Sequence, residues 1–330
     1  MTEFDLIARH FTRAPPAGSV VLAGVGDDCA RLAGSDDEWA VTTDLLLEGR
    51  HFFSDVDPEA LGHKALAVNL SDLAAAGATP RCFFLALALP QANDAWLAAF
   101  ARGLFALADA HQCVLAGGDT TRAPQLDTRP GPLTVCITAM GTLPRSAALT
   151  RGGARADDEL YVSGTVGDAA LALAARAGRA TLDFVDAAAV QARLDRPTPR
   201  VALGQALRGV ASACMDVSDG LLGDLGHLCT RSQVAAMVEW TVVPRSPALQ
   251  RQPVELQQHC ALAGGDDYEL LFTAPPAQRR AVQAAARTAG VAVTRIGRIE
   301  PPGRDGAVAQ AVDAQGRPLP GRFASYDHFG

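Results

Sequence analysis

Aspartates recur along the chain next to glycines or leucine runs. They lie in the stretches "GVGDDCA", "TTDLLLEG", "NLSDLAAAG", "AGGDTTR", "CMDVSDGLLGDLGHL" and "AGGDDYELLF". Clustered carboxylates repel one another, so such a set needs a bound cation, a catalytic task or a helix N-terminus to cap. Oxygen ligands without a matching His or Cys cluster indicate Mg²⁺ rather than zinc. Together with glycine-rich turns and arginine, the set favours binding of nucleotide phosphates.

Local periodicity pairs several of these polar residues. Strand alternation places Thr42 and Asp44 on one face of a strand, and helical spacing places Asn69 and Asp72 on one face of a helix. A solvated strand end or an exposed polar stripe would explain either pair without any function. In "VLAGGDTTR" a strand is expected to lead into a Gly-Gly loop, where Asp119 becomes a candidate ligand.

The stretch from Cys214 to Leu228 combines a strand end with the start of a helix. Asp216 and Ser218 alternate on the strand, and the leucines from Leu221 onward have helical spacing. Ser218 or Asp219 can cap this helix, whose N-terminus also favours anions. Capping explains at most two acids and leaves Asp216 in need of a cation. Asp224 is predicted on the outer helical face, without a function.

Composition excludes several classes of protein. The 330 residues carry a net charge of −7 without a Lys/Arg-rich run, which argues against nucleic-acid binding. Lys64 is the only lysine, so no Walker-type phosphate loop exists. The seven cysteines are scattered, as in a reduced cytoplasmic protein, and neither a signal peptide nor a membrane-spanning run is recognisable. Motifs of hydrolase elbows, zincins and dinucleotide-binding folds are also missing.

Strands and helices alternate in both halves of the chain, which predicts an α/β (α+β) fold with two domains. Polar and small residues replace the apolar pattern near residues 144–158. We therefore expect domains at 1–150 and 151–330.

The motifs, taken in order, resemble those of the bacterial thiamine-monophosphate kinase family. The resemblance rests on "GVGDDCA", "TTDLLLEGRHF", "KALAVNLSDLAAAGATP", "GGDTTR", "ALTRGGA", "MDVSDGLLGDLGHL", "GGDDYELLF" and "YDHF". It implies the two-domain fold of the aminoimidazole ribonucleotide synthetase superfamily, each domain a sheet flanked by helices. The N-terminal domain would bind metal and nucleotide and form a homodimer, and the C-terminal domain would complete the nucleotide and substrate site. The implied reaction converts ATP and thiamine monophosphate into ADP and thiamine diphosphate, with several Mg²⁺ ions.

The resemblance also implies individual site residues. The implied metal ligands are Asp27, Asp28, Thr42, Thr43, Asp44, Asp72, Asp119, Asp216 and Asp219. The implied nucleotide contacts are Gly118, Asp119, Arg151 and Ser218. The implied substrate contacts are His51, Asp266, where the family commonly has Glu, and Phe323, where it often has Trp. No catalytic base is implied, because the accepting phosphate is already ionised near neutral pH.

Three alternatives remain at this point. A sister ATP-dependent synthetase of the same superfamily is the nearest, although no cysteine precedes Cys29 to match a selenophosphate synthetase. A non-catalytic nucleotide-binding protein would be expected to have lost several acids, whereas here the set is intact. A metal phosphohydrolase would need a base or metal-hydroxide arrangement that the sequence does not reveal.

Overall fold

The structure is a computed structural model that describes residues 7, 9–23, 31–34, 36–126, 129–303, 309–321 and 323. The chain forms two compact units: unit 1 comprises Met1–Leu73 and Ala78–Arg145, and unit 2 comprises Ala74–Gly77 and Ser146–Gly330. Among the described residues, no helix combines the length and the apolar character that crossing a membrane requires. The predicted class, a sheet flanked by helices in each half, is confirmed.

Unit 1 is built around a four-stranded sheet with the strand order β3-β8-β4-β5. In chain order its elements are β1 (Val21–Ala23), β2 (Arg31–Leu32), β3 (Glu38–Leu47), α1 (Pro58–Ala75), β4 (Thr79–Leu89), α2 (Asp94–Ala110), β5 (Val114–Arg122), β6 (Gln125–Leu126), β7 (Arg129–Pro130) and β8 (Thr134–Leu143). The last two residues of α1 already belong to unit 2. Only the pairing of β4 with β5 is parallel in this sheet.

Strand β3 shows why one face of this sheet is covered and the other open. Leu46 is buried on the face that also carries Thr42 and Asp44. Val41 and Leu45 point to the opposite face and are 58% and 53% exposed. Because side chains alternate along a strand, the polar pair and the exposed apolar pair lie on different sides of the sheet.

Unit 2 is built around a six-stranded sheet with the order β10-β12-β9-β13-β11-β14. Its remaining elements are β9 (Glu159–Ser163), α3 (Asp168–Arg176), α4 (Phe184–Asp195), α5 (Val201–Ala206), β10 (Ala213–Asp216), α6 (Leu221–Ser232), β11 (Ala235–Glu239), α7 (Pro247–Gln250), α8 (Val254–Ala263), β12 (Leu270–Ala274), α9 (Arg279–Ala289), β13 (Val293–Glu300) and β14 (Ala309–Val312). Every pairing is antiparallel except that of β11 with β14.

In unit 2, the buried strands β9, β12 and β10 lead to a polar end of the sheet. All residues of β9, β10 and β12 are buried. The leucines of α6 pack into this core. Asp216, the last residue of β10, pairs with Leu270, the first residue of β12. The two predicted acidic motifs "MDVSDG" and "GGDDY" therefore meet at one edge of the sheet.

Candidate functional site

Thr42, Asp44 and Asp72 form a polar group in unit 1, where β3 faces α1. The Thr42 hydroxyl donates a hydrogen bond to Asp72 Oδ2. Burial, followed by the neighbouring Asp72 carboxylate, raises the pKa of Asp44 from its ordinary 3.8 to about 7. Burial and the second carboxyl make Asp44 difficult to ionise. A divalent cation bound between the two carboxylates would compensate both negative charges.

Thr43 and Asp119 lie on the other face of the same sheet. The Thr43 hydroxyl is hydrogen-bonded to that of Thr138, at 2.8 Å. Across the sheet, Asp119 lies opposite Ala86, Ala86 opposite Cys136, and Cys136 opposite the exposed Leu45. Residues directly opposite one another point to the same face, so Asp119 lies on the face of Leu45. The sheet thus separates these two predicted ligands from the group around Asp44.

Gly117 and Gly118 lie inside β5, so the prediction of a Gly-Gly loop before Asp119 is wrong. The reason is a close approach of β4: a Cβ on Gly118 would lie 1.8 Å from the carbonyl oxygen of Leu85. Gly118 occupies the same cross-strand row as Asp44. Three strand spacings separate the two residues, a distance of about 14 Å.

His51 lies in the turn after β3, beside a small cavity. Its Nδ1 accepts a hydrogen bond from the backbone N–H of Leu47, at 3.0 Å, which places the proton of the neutral ring on Nε2. The neighbouring cavity of about 210 Å³ is lined by Phe52, Trp96 and Glu48, among others. The cavity thus combines two aromatic side chains with one carboxylate.

Asp216, Ser218 and Asp219 lie together at the edge of the unit 2 sheet. Asp216 is buried, whereas Ser218 and Asp219 are partly exposed. The helix α6 begins after Gly220, and no side chain caps it from that position. The expectation that Ser218 or Asp219 serves as the helix cap is therefore wrong, and both side chains remain available for other partners.

Asp266 is joined directly to this loop. Its backbone N–H donates to the carbonyl oxygen of Ser218 at 2.8 Å, and its Oδ1 accepts the Tyr268 hydroxyl at 2.9 Å. Asp266 and Tyr268 both have positive φ, 66° and 51°. Such a backbone is uncommon for residues other than glycine, and for the bulky Tyr268 it is strained.

Arg151 and Phe323 have different surroundings. The N–H of Cys214 in β10 donates to the carbonyl oxygen of Thr150 at 2.9 Å. The next residue, the exposed Arg151, therefore lies beside β10, near Cys214 and close to the acidic end of the strand. Phe323 is partly buried and packs against the hydrophobic core of unit 2.

The predicted metal ligands are distributed over separate small groups. Asp27 and Asp28 lie outside the described residues. Within the part of the chain that the structure describes, no three His, Cys, Asp or Glu side chains converge as a metal centre. Pairs of carboxylates still fit Mg²⁺, because this ion commonly takes one or two carboxylates and completes its shell with waters and substrate phosphates.

Comparison with known proteins gives the family. Residues 26–143 match the model of the AIR synthase related protein N-terminal domain, and residues 155–310 match that of the C-terminal domain. A thiamine-monophosphate kinase of Salmonella typhimurium is 43% identical over 332 residues, covering 99% of this chain and 98% of the relative. The chain belongs to the thiamine-monophosphate kinase family.

Solved structures agree with this family membership. The crystal structure of thiamine-monophosphate kinase from Stenotrophomonas maltophilia is 44% identical, with a TM-score of 0.81 and 96% coverage of both chains. A structure of AaThiL complexed with AMPPCP and TMP is 29% identical, with a TM-score of 0.74 and 92% coverage of both. The hydrogenase maturation protein HypE in complex with ATP, at 22% identity and a TM-score of 0.78, shares the fold and covers 98% of this chain and 95% of its own.

Asp224 is a residue of this kinase-family chain whose position the sequence prediction missed. It is buried rather than on the outer face of α6, and its Oδ2 accepts hydrogen bonds from the backbone N–H groups of Ser218, Asp219 and Gly220. Burial raises the pKa of Asp224 to about 6, although the three amides act in the opposite direction. A helical wheel would have indicated this position, since Asp224 lies only about 40° from the buried Leu228.

Glu269 is a second residue that the sequence prediction missed. Its buried carboxylate accepts hydrogen bonds from Arg200 Nε at 2.6 Å, Arg193 Nη2 at 2.8 Å and Ser163 Oγ at 2.5 Å. A carboxylate held by two guanidinium groups is rigidly placed. It fixes the backbone immediately after the Asp266–Tyr268 segment. No local signal in the sequence marks it, because its arginines come from a helix and a loop far along the chain.

Proposed function

We propose that the protein is a Mg²⁺-dependent phosphotransferase that moves the γ-phosphoryl group of ATP onto thiamine monophosphate, giving thiamine diphosphate and ADP. Support comes from the match along 99% of the chain to thiamine-monophosphate kinases. The observation in the structure that supports it best lies within unit 2, where the N–H of Asp266 donates to the carbonyl oxygen of Ser218 at 2.8 Å and so joins the two acidic loops.

Each predicted residue has a role in this proposal. Thr42, Asp44 and Asp72 would hold Mg²⁺ at one face of the unit 1 sheet, and Asp216 and Asp219 would hold it at the edge of the unit 2 sheet. Thr43 and Asp119 lie on the other face of the unit 1 sheet, three strands apart, and would contribute as separate ligands. Asp27 and Asp28 belong to the same proposed set. When bound, Mg²⁺ neutralises the charge of the phosphates and lets two anionic groups approach.

The nucleotide and the acceptor would be held by residues with donor groups. Gly118, Arg151 and Ser218 are the proposed ATP contacts, and Arg151 supplies a guanidinium beside the acidic edge of β10. His51, Asp266 and Phe323 are the proposed contacts of thiamine monophosphate. The Nε2 proton of His51 suits its phosphate, and the carboxylate of Asp266 suits its positive charge.

The transfer needs no general base from the protein. An oxygen of the acceptor phosphate, largely ionised near neutral pH, attacks the γ-phosphorus in line with the bridging oxygen to ADP. The new P–O bond forms as the old one breaks, and ADP leaves with the bonding electron pair. The residues therefore act by positioning and by compensating charge.

We also propose a homodimer that forms through the open face of the unit 1 sheet. The exposed Val41 and Leu45 lie there, with partly exposed residues of β8 and β4 beside them. Exposed apolar side chains grouped on one sheet face often mark an interface, and the polar Thr43 and Asp119 on the same face would then lie at or beside it.

A coupled ADP assay with several phosphate acceptors tests the proposed activity. We expect turnover with thiamine monophosphate and Mg²⁺, and none with free thiamine or after chelation of the metal. ADP release that ignores the acceptor would instead favour an ATPase, and turnover only with another acceptor would favour a sister synthetase.

A further inference from the structure

The backbone amides of the Ser218–Gly220 loop converge on one internal oxygen. The N–H groups of Ser218, Asp219 and Gly220 lie 3.0, 3.0 and 3.1 Å from Oδ2 of Asp224. Asp224 itself is 2% exposed. Consecutive backbone amides just before a helix can form a concave site for an external anion. Here a carboxylate of the same helix occupies that place.

This arrangement changes how the loop can contact a nucleotide. Since the amides are already bonded to Asp224, they are not available to phosphate oxygens. The loop would therefore contact a nucleotide through the side chains of Ser218, Asp219 and the preceding Asp216 rather than through these amides. The direction of those side chains depends on the backbone that Asp224 holds.

The other side of the loop is fixed as well. Tyr268 and Asp266 donate backbone hydrogen bonds to the carbonyl oxygens of Val217 and Ser218, at 2.9 and 2.8 Å. Gly220 has φ 120°, and a Cβ there would lie 2.7 Å from the carbonyl oxygen of Ala263. The loop thus has little room to change its conformation while the Asp224 bonds persist. Without them it loses the carboxylate that holds its three amides.

We propose that Asp224 is a positioning residue that orients Ser218 and Asp219 for the metal–nucleotide complex. The inference rests on the proposed role of this loop in binding nucleotide. Partners that orient metal ligands typically contribute 10- to 100-fold to affinity or activity. We expect a contribution of this size from Asp224, although it touches neither metal nor nucleotide.

The test compares two variants of Asp224 by titration calorimetry with AMPPCP and Mg²⁺. D224A removes the acceptor and should raise the Kd by about 10- to 100-fold. D224N keeps an oxygen in the same place and should have a Kd much nearer to the parent's. Formate, a carboxylate small enough for the vacated space, should lower the Kd of D224A and leave that of the parent unchanged.

Asp158 provides a matched control. Its carboxylate is also buried and accepts the N–H of Arg155 at 3.0 Å and the Ser212 hydroxyl at 2.6 Å, away from the loop. D158A should lose thermal stability but keep the parent's Kd. If D224A does not fold, D224S, whose shorter side chain cannot reach all three amides, replaces it.

The outcomes separate this inference from the proposed function. A D224A or D224S protein that binds AMPPCP as the parent does would overturn the inference, and so would an equal loss in D158A. A parent that binds AMPPCP but makes no thiamine diphosphate would overturn only the proposed acceptor. A parent that does not bind AMPPCP would overturn both.

Discussion

The backbone N–H of Asp266 donates a hydrogen bond to the carbonyl oxygen of Ser218, at 2.8 Å. This bond links the proposed substrate contact to the proposed nucleotide contact. The two loops come from parts of the chain that are almost fifty residues apart. A change in one loop should therefore be felt at the other.

Removal of the Tyr268 hydroxyl should affect the acceptor more than the nucleotide. Tyr268→Phe deletes the donor that holds Asp266 Oδ1 at 2.9 Å, so Asp266 loses its fixed direction. We expect the KM for thiamine monophosphate to rise several-fold, the KM for ATP to change little, and stability to fall by about 1 kcal/mol. Steady-state kinetics with each substrate varied in turn measures this.

Tyr161→Phe is the control for that variant. The Tyr161 hydroxyl donates to Glu159 at 2.6 Å, in the same unit but at the other end of the sheet. It should cost similar stability and leave both KM values unchanged. Identical kinetics in the two variants would show that Tyr268 does not orient Asp266.

Asp72→Asn should separate metal binding from folding. The amide oxygen of Asn can still accept the Thr42 hydroxyl, so the local packing is kept while one negative charge is lost. We expect a fall in turnover of at least tenfold at limiting Mg²⁺, as for loss of a metal ligand, with little change in melting temperature. Activity against Mg²⁺ concentration provides the measurement.

The matched control lies at the other end of the same helix. The Asp57 carboxylate accepts the N–H groups of Glu59 and Ala60 at 3.3 and 3.2 Å, at the start of α1. Asp57→Asn should leave the Mg²⁺ dependence as in the parent. Normal Mg²⁺ dependence in Asp72→Asn would remove Asp72 from the proposed ligand set.

The raised pKa of Asp44 predicts how the stability of the metal-free protein depends on pH. Its folded pKa of about 7 lies above the ordinary 3.8, so the folded state holds a proton that the unfolded state has lost between these values. The proton on Asp44 thus stabilises the folded state at low pH, and this contribution is lost as the pH rises through about 7. The free energy of unfolding falls by up to about 1.4 kcal/mol per pH unit. Denaturation in a chelator at several pH values tests this.

Comparison with Asp44→Asn shows how much of this pH dependence of stability comes from Asp44. The variant should flatten the curve between about pH 6 and 7, while Asp224, with a pKa of about 6, still contributes with the same sign at lower pH. Mg²⁺ should restore stability to the parent at high pH. A parent whose metal-free stability rises from pH 5 to about 8 would contradict the burial of Asp44 as an acid.

Leu45→Glu should disrupt the proposed dimer. The substitution places a charge on the open face of the unit 1 sheet, where Leu45 is 53% exposed. We expect the parent to have the dimer mass in light scattering and the variant to shift toward the monomer, because an unpaired charge in an interface is costly. Phe184→Glu, at a side chain that is 89% exposed in unit 2, should not change the mass. A monomeric parent would disprove the dimer.

Local periodicity was enough to predict some of the candidate site. The alternation along β3 placed Thr42 and Asp44 on one strand face, and the helical spacing of α1 placed Asp72 on one helix face with Asn69. The structure joins Thr42 to Asp72 by a hydrogen bond, which neither pattern predicted. Both patterns depend on the geometry of single elements, which the sequence reveals directly.

Other features depended on contacts that are distant in the sequence. Gly118 belongs to a strand because β4 approaches it closely, and that pairing is not visible in "AGGDTTR". The buried face of Asp224 was readable from its helical spacing to Leu228, but its bonds to the loop before α6 were not. The loop itself depends on the backbone bonds from Asp266 and Tyr268. Local patterns cannot indicate such bonds, since they form only when the sheet assembles.

The central claim is that the γ-phosphoryl group of ATP moves intact onto thiamine monophosphate. Its most direct test uses ATP with ¹⁸O in the γ-phosphoryl group, Mg²⁺ and thiamine monophosphate, followed by mass spectrometry of the products. We predict thiamine diphosphate whose terminal phosphoryl group carries the label, and unlabelled ADP. Labelled inorganic phosphate without labelled thiamine diphosphate would contradict the claim.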